Sequence, residues 1–191
     1  MYNEEQLIKM GYTDYLYYME LKSGIIRIND EIINYSVPDF MAQVRYVMER
    51  KINPVIIYLS SSGGDAYSAF AIYDGINLLR ENGIKVEIIV EGLCASAAAM
   101  IVLQAADIRK SRKNSRFLIH EAKRWAIFIR EKTSEMDDEL TEMKAIQDKV
   151  IDVLAVRCKK DKQTIKDFID RKERWMSTEE AKEFGLIDEI I

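Results

Sequence analysis

The chain has 191 residues, 48% of them hydrophobic, enough to bury one sizeable core, so it reads as a single domain over 1–191 with an appended helical arm. Its formal net charge is -4, with Lys and Arg interspersed among acids, so no basic field favours nucleic acid or an anionic membrane as partner. Cys94 and Cys158 lie far apart, which argues against a disulfide framework or a metal knuckle; they read as small buried hydrophobes in a reducing compartment, and no metal or cofactor is expected.

The N-terminal residues begin acidic, without a basic stretch followed by an apolar run, and no segment reaches the length of a membrane span. A cytoplasmic location is the expectation. Short β-branched runs then alternate with helical periodicity, the pattern of an α/β fold. Gly24–Ile28 reads as a strand and Val37–Arg50 as a helix with Ser36 as its hydroxyl cap, Pro38 early and Asp39 near the positive dipole end. Pro54–Leu59 is the next strand, and Ala66–Arg80 a helix with Ala69, Ile72, Tyr73, Ile76 and Leu79 on one face, stopped at Asn82-Gly83. Both helices are expected to bury that face against a sheet. Lys85–Val90 follows as a strand, Ala95–Ala106 as an Ala-rich core helix and Arg116–His120 as a strand. Strand starts recur about every 30 residues, the length of a strand-helix unit.

The pattern changes at Glu131. Glu131–Cys158 is heavily charged, with Met136, Leu140, Met143, Ile146, Val150, Val153 and Leu154 at helical spacing. A helix of this length on a small α/β body packs on another chain or on its own domain. Ser177-Thr178-Glu179-Glu180 is a capping box, Gly185 ends the short helix it opens, and Leu186–Ile191 reads as a last strand.

Three local features carry chemistry. Ser60-Ser61-Ser62-Gly63-Gly64-Asp65 joins a strand to a helix, and its paired glycines let backbone amides turn outward, where they suit an anion or an oxyanion. An ordinary capped turn is the plainer alternative. Ser96, in Glu91-Gly92-Leu93-Cys94-Ala95-Ser96-Ala97-Ala98-Ala99-Met100, stands where a strand gives way to a helix, its hydroxyl at the positive end and the amide of Ala97 unsatisfied within the helix. Read alone, Ser96 is more simply a helix cap. His120 closes the strand in Asn114-Ser115-Arg116-Phe117-Leu118-Ile119-His120 and is the one histidine of the chain, so it is the one imidazole that could activate a serine; a structural histidine at a strand end is the alternative.

In this order, and with Ala71-Ile72-Tyr73-Asp74 and Met176-Ser177-Thr178-Glu179-Glu180 in place, the chain resembles the Clp protease proteolytic subunit family from about Gly24 to the C-terminus. The resemblance implies a fold of stacked strand-helix (ββα-type) turns of the ClpP/crotonase type, a protruding handle helix over about 131–158, and a homo-oligomer of rings stacked around a chamber. It implies serine peptidase chemistry on unfolded polypeptides, with a hexameric AAA+ unfoldase as the candidate partner. Carried over residue by residue, Ser96 is the nucleophile, His120 the base, and Gly64 and Ala97 the amides that hold the oxyanion. Substrate would pair in extended form near Asp65-Ala66 and Ala122-Lys123. Glu173 stands at the position of the family's third catalytic residue, an aspartate, with Asp170 and a backbone carbonyl or water as alternatives for orienting His120. A silent ring subunit or scaffold, and a crotonase-type acyl-CoA enzyme, are the competing functions.

Overall fold

A computed structural model describes residues 11–121 and 133–191. The chain opens on α1 (Tyr12–Lys22) and alternates through β1 (Ile25–Ile28), α2 (Ser36–Arg50), β2 (Val55–Ser61), α3 (Ala66–Glu81) and β3 (Val86–Ala95). A four-residue helix α4 (Ala97–Met100) and a 3-10 turn (Val102–Ala105) lead into β4 (Ile108–Ser111) and β5 (Arg116–His120). Then come α5 (Thr133–Cys158), α6 (Lys162–Ile169), β6 (Glu173–Met176), α7 (Thr178–Phe184) and β7 (Glu189–Ile190). The expected strand-helix alternation is present, and the strands form a parallel sheet in the order β1-β2-β3-β4-β7.

Alternation decides which face is buried. Ile26, Ile57, Leu59, Val86, Ile88 and Val90 are inaccessible and share a core with Phe40, Val44 and Val47 of α2 and Ile72, Ile76 and Leu79 of α3. Each such side chain contributes roughly 1.5–3 kcal/mol of transfer free energy, so this face holds the sheet and helices together. The opposite face is mixed, with isoleucines such as Ile89 among charged pairs: Arg27 with Glu20 at 2.7 Å and Lys110 with Glu87 at 3.0 Å.

The sheet forks at β3, and the fork builds the site. Its first half, Glu87–Val90, pairs with β4, while Leu93–Ala95 pairs with β5, also in parallel. On the other side β2 follows the bend with a register irregularity between Leu59 and Ser61, and Ser61 then pairs with Cys94. Strand β5 is joined by β6 antiparallel, Phe117 opposite Met176 and His120 opposite Glu173.

Several expectations are corrected. Ser36 lies inside α2; its hydroxyl donates to Ile33 O at 2.6 Å, and Tyr35 precedes the helix without a capping side chain. The Ala95–Ala106 helix is broken, because β3 continues to Ala95 and the chain leaves helical geometry at Ile101 (φ -121, ψ -71). The last strand is confined to Glu189–Ile190. Strand β4 hid in the sequence because its inward positions are Arg109 and Ser111, so its pattern is not apolar. Arg109, 4% exposed, is satisfied by Asp188, Gln104 Oε1 and Gly185 O, which ties the C-terminal segment to the sheet.

Helix α5 has 26 residues, about 39 Å of axis at 1.5 Å per residue. Its C-terminal half packs on the core through Val150, Ile151, Leu154 and Ala155. Leu140, nearer its start, is 51% exposed, so that side of the helix faces away from the core. The capping box at Ser177 and Glu180 and the left-handed end at Gly185 are both formed.

Candidate active site

Because β3 and β5 run parallel, their carboxyl ends finish side by side. Ala95 pairs with Leu118, the amide of Ser96 donates to Leu118 O at 2.8 Å, and His120 lies two residues further on the same face as Leu118. The side chains meet: Ser96 Oγ is 2.9 Å from His120 Nε2, within reach for a nucleophile and its base.

The backbone of Ser96 is itself unusual, with φ 52 and ψ -127 in a non-glycine residue. Such conformations cost roughly 1–3 kcal/mol and persist where surrounding structure imposes them. Gly63 is the imposing neighbour. A Cβ there would lie 2.6 Å from Ala95 O, 2.7 Å from Ser96 Cβ and 2.8 Å from Ala97 N, so the turn and the serine are fitted against each other. Ser96 makes no capping hydrogen bond to α4. Its hydroxyl is used toward His120, which answers the helix-cap reading.

The other imidazole nitrogen, Nδ1, lies 2.5 Å from Glu121 O. A carbonyl only accepts, so Nδ1 is the donor in this contact, which in the neutral imidazole leaves Nε2 to accept from the serine hydroxyl. The tautomer required of a general base is therefore held by a backbone group. Glu173 is the cross-strand partner of His120 and lines the same cavity. Asp170 ends α6 and lines a different cavity.

The cavity at Ser96 and His120 is about 770 Å³. One wall is the turn and the start of α3, with Gly64, Asp65, Ala66 and Tyr67; Ala97 and Leu118 flank the serine; Met143, Ile146 and Val150 of α5 form the facing apolar wall. Asp65 has tasks within the fold, since its Oδ1 accepts from Ser68 N at 2.8 Å and caps α3, and its amide donates to Ile32 O at 2.8 Å. Asp65 and Ala66 line the cavity, and the Asp65 amide is already engaged by Ile32 O. Ala122 and Lys123 lie outside the described residues.

Cys94, two residues from Ser96, is fully buried, and burial pushes its thiol far above the ordinary range. Burial likewise pushes Cys158 up to about 11. Neither is a nucleophile at neutral pH. Sequence reasoning missed Tyr67 and Glu121 as site residues. The stripe of α5 was legible, but only the fold turns Met143, Ile146 and Val150 toward Ser96 and not wholly toward the core.

Stacked strand-helix turns with a forked parallel sheet, and a serine and histidine at neighbouring strand ends, define an α/β fold of the ClpP/crotonase type. The chain belongs to the Clp protease family, whose model matches residues 9–191. It is 30% identical to the ATP-dependent Clp protease proteolytic subunit 2 of Treponema denticola, over 98% of this chain and 92% of that one. It is 31% identical to the subunit of the same name from Frankia casuarinae, over 90% of this chain and 76% of that one. Among solved structures a point mutant of ClpP1 from Listeria monocytogenes superimposes with a TM-score of 0.79 at 24% identity, covering 92% of this chain and 95% of that chain.

Proposed function

We propose that this chain is a serine endopeptidase that hydrolyses unfolded polypeptides by acyl-enzyme chemistry inside a chamber formed by stacked rings of its own copies. The observation that carries the reading is the 2.9 Å contact between Ser96 Oγ and His120 Nε2 in a cavity with an apolar wall from α5. As Oγ bonds to the scissile carbonyl carbon, its proton passes to Nε2. Collapse of the tetrahedral intermediate breaks the C–N bond, and the leaving amine takes that proton. Water then repeats the sequence on the acyl-Ser96 ester.

The amides of Gly64 and Ala97, both lining the cavity, are the oxyanion donors in this reading. A donor of this kind is worth about 10²–10³ in turnover. In this reading the Glu121 carbonyl orients His120 and Glu173 stabilises the imidazolium, which is supported by its register opposite His120 in the β5–β6 pair. The relatives are named ATP-dependent, which supports an AAA+ unfoldase as the partner that delivers substrate. Two free, buried cysteines suit a reducing, cytoplasmic setting, and among the described residues no helix is long and apolar enough to cross a membrane.

A second reading, a ring subunit without turnover, is favoured by one observation: Nδ1 of His120 rests on a backbone dipole rather than on a carboxylate. A fluorophosphonate probe separates the two. Labelling at Ser96 in the wild type, lost in Ser96→Ala and in His120→Ala, with light scattering reporting a particle many times the mass of one chain, supports the peptidase. An unlabelled wild-type ring establishes the silent subunit.

A further inference from the structure

Tyr67 stands in the first turn of α3, three residues beyond Gly64, and is 57% exposed. Its phenol donates to Glu142 Oε1 at 2.8 Å, joining α3 to α5 across 75 residues of chain. That carboxylate, accepting the bond, raises the phenol above its ordinary 10.0. An exposed ring would otherwise change rotamer in picoseconds to nanoseconds; a charge-assisted hydrogen bond holds it in one place.

The ring stands between two spaces. It lines the cavity of about 770 Å³ that contains Ser96 and His120, and it also lines a second cavity of about 260 Å³ bounded by Phe70, Ala71, Asp74, Ala145 and Lys149. Tyr67 and Ile146 are the two residues that both cavities share. One comes from α3 and the other from α5, the helices that the Tyr67–Glu142 bond ties together. The second space is large enough to matter to a side chain, and Tyr67, Ile146 and the Tyr67–Glu142 bond stand where it borders the first.

We propose that Tyr67, latched to Glu142, is a specificity-determining partition: it limits the substrate side chain facing α5 to small or aliphatic groups, and its displacement opens the cavity behind it to aromatic ones. This rests on the peptidase reading, because it assigns the selectivity of that same cleft. Glu142 is a positioning residue that acts through the tyrosine.

The test uses the full chain and a peptide series carrying Ala or Trp at each position around the scissile bond in turn. It reads the Trp-over-Ala ratio twice, as kcat/KM in the active chain and as Kd by calorimetry in the Ser96→Ala background. One methylene in an apolar pocket changes selection by about 10-fold or more, so Tyr67→Ala is expected to raise the ratio at one position by at least ~10-fold. Glu142→Ala raises it in part, and Glu142→Gln, which keeps an acceptor for the phenol, retains the wild-type ratio. An unchanged ratio in Tyr67→Ala at every position, or peptides that bind no variant, overturns the partition. Absent fluorophosphonate labelling of wild-type Ser96 refutes the peptidase reading by itself, and the calorimetric ratio then still decides the partition.

Discussion

Gly63→Ala puts the fit between the glycine turn and Ser96 to a quantitative test. Ordinary contact begins at 3.4 Å, and the added methyl carbon would stand 2.6 Å from Ala95 O, so 3.4 minus 2.6, about 0.8 Å, must be recovered. Gly63 has little room to retreat, since its amide donates to Ser61 Oγ at 3.1 Å and its carbonyl accepts from Ile32 N at 2.8 Å. The displacement therefore falls on Ala95–Ala97, which carries the proposed nucleophile Ser96 and the proposed oxyanion amide of Ala97. A misplacement near 1 Å costs on the order of 10²-fold in turnover, which is the loss expected here. The backbone, at φ 90, adds a penalty of roughly 1–2 kcal/mol for any residue with a Cβ. Gly83→Ala is the control, because Gly83 shares the positive φ (77) but a Cβ there meets nothing within 4 Å. It should lose similar stability and no activity. The assays are turnover of a fluorogenic peptide, the rate of fluorophosphonate labelling and thermal unfolding. A folded Gly63→Ala chain with labelling and turnover within about two-fold of wild type would refute the argument that this contact sets the serine's geometry.

Glu173→Gln is expected to reduce kcat well beyond any change in KM, whereas Asp170→Asn, altering a residue outside the cavity of Ser96, leaves both in place; the reverse result transfers the role to Asp170. Phe117→Ala removes a fully buried ring next to the site and should cost about 3–5 kcal/mol in denaturant unfolding at fixed chain concentration, a loss under about 1 kcal/mol showing that the core there collapses without a cavity. Asp188 links the C-terminal segment to Arg109: burial alone would push its carboxyl up, but hydrogen bonds and charge from Arg109, with Arg157 beyond, hold it below the ordinary 3.8. A depressed folded value means stability that is present above 3.8 and is lost as pH falls through the folded value, so Asp188→Asn should flatten the acid limb of the thermal stability curve. The effect is modest, because the carboxylate side chain is 38% exposed, and an acid limb of unchanged slope would show that the pair does not report on folding.

How much of this was written in the chain differs from element to element. Strands β1, β2, β3 and β5 and helices α2, α3 and α5 announce themselves by apolar periodicity, because their buried faces are apolar and local spacing is enough to reveal them. The capping box of α7 is legible because both partners lie within four residues. Helix α6 left a signal of the same kind that went unread: Asp161 accepts from Thr164 N at 2.8 Å as a cap. Strand β4 left none, since its inward Arg109 is made tolerable by Asp188, 79 residues later, a compensation that no local pattern carries.

The site divides in the same way. Ser96 and His120 were identifiable as candidates from residue type and context, because a serine at a strand-helix junction and a solitary histidine are local facts. Their contact at 2.9 Å follows from the parallel pairing of β3 with β5 and from the fork that releases the end of β3 from β4, both long-range. The carbonyl that accepts from His120 Nδ1, Tyr67 in the lining of the serine's cavity, and the apolar wall from α5 belong to the tertiary structure alone. A sequence records which groups a chain carries and what each segment prefers locally. Which groups face one another across 24 or 75 residues is set by sheet register and helix packing, whose energy is shared among side chains far from the site.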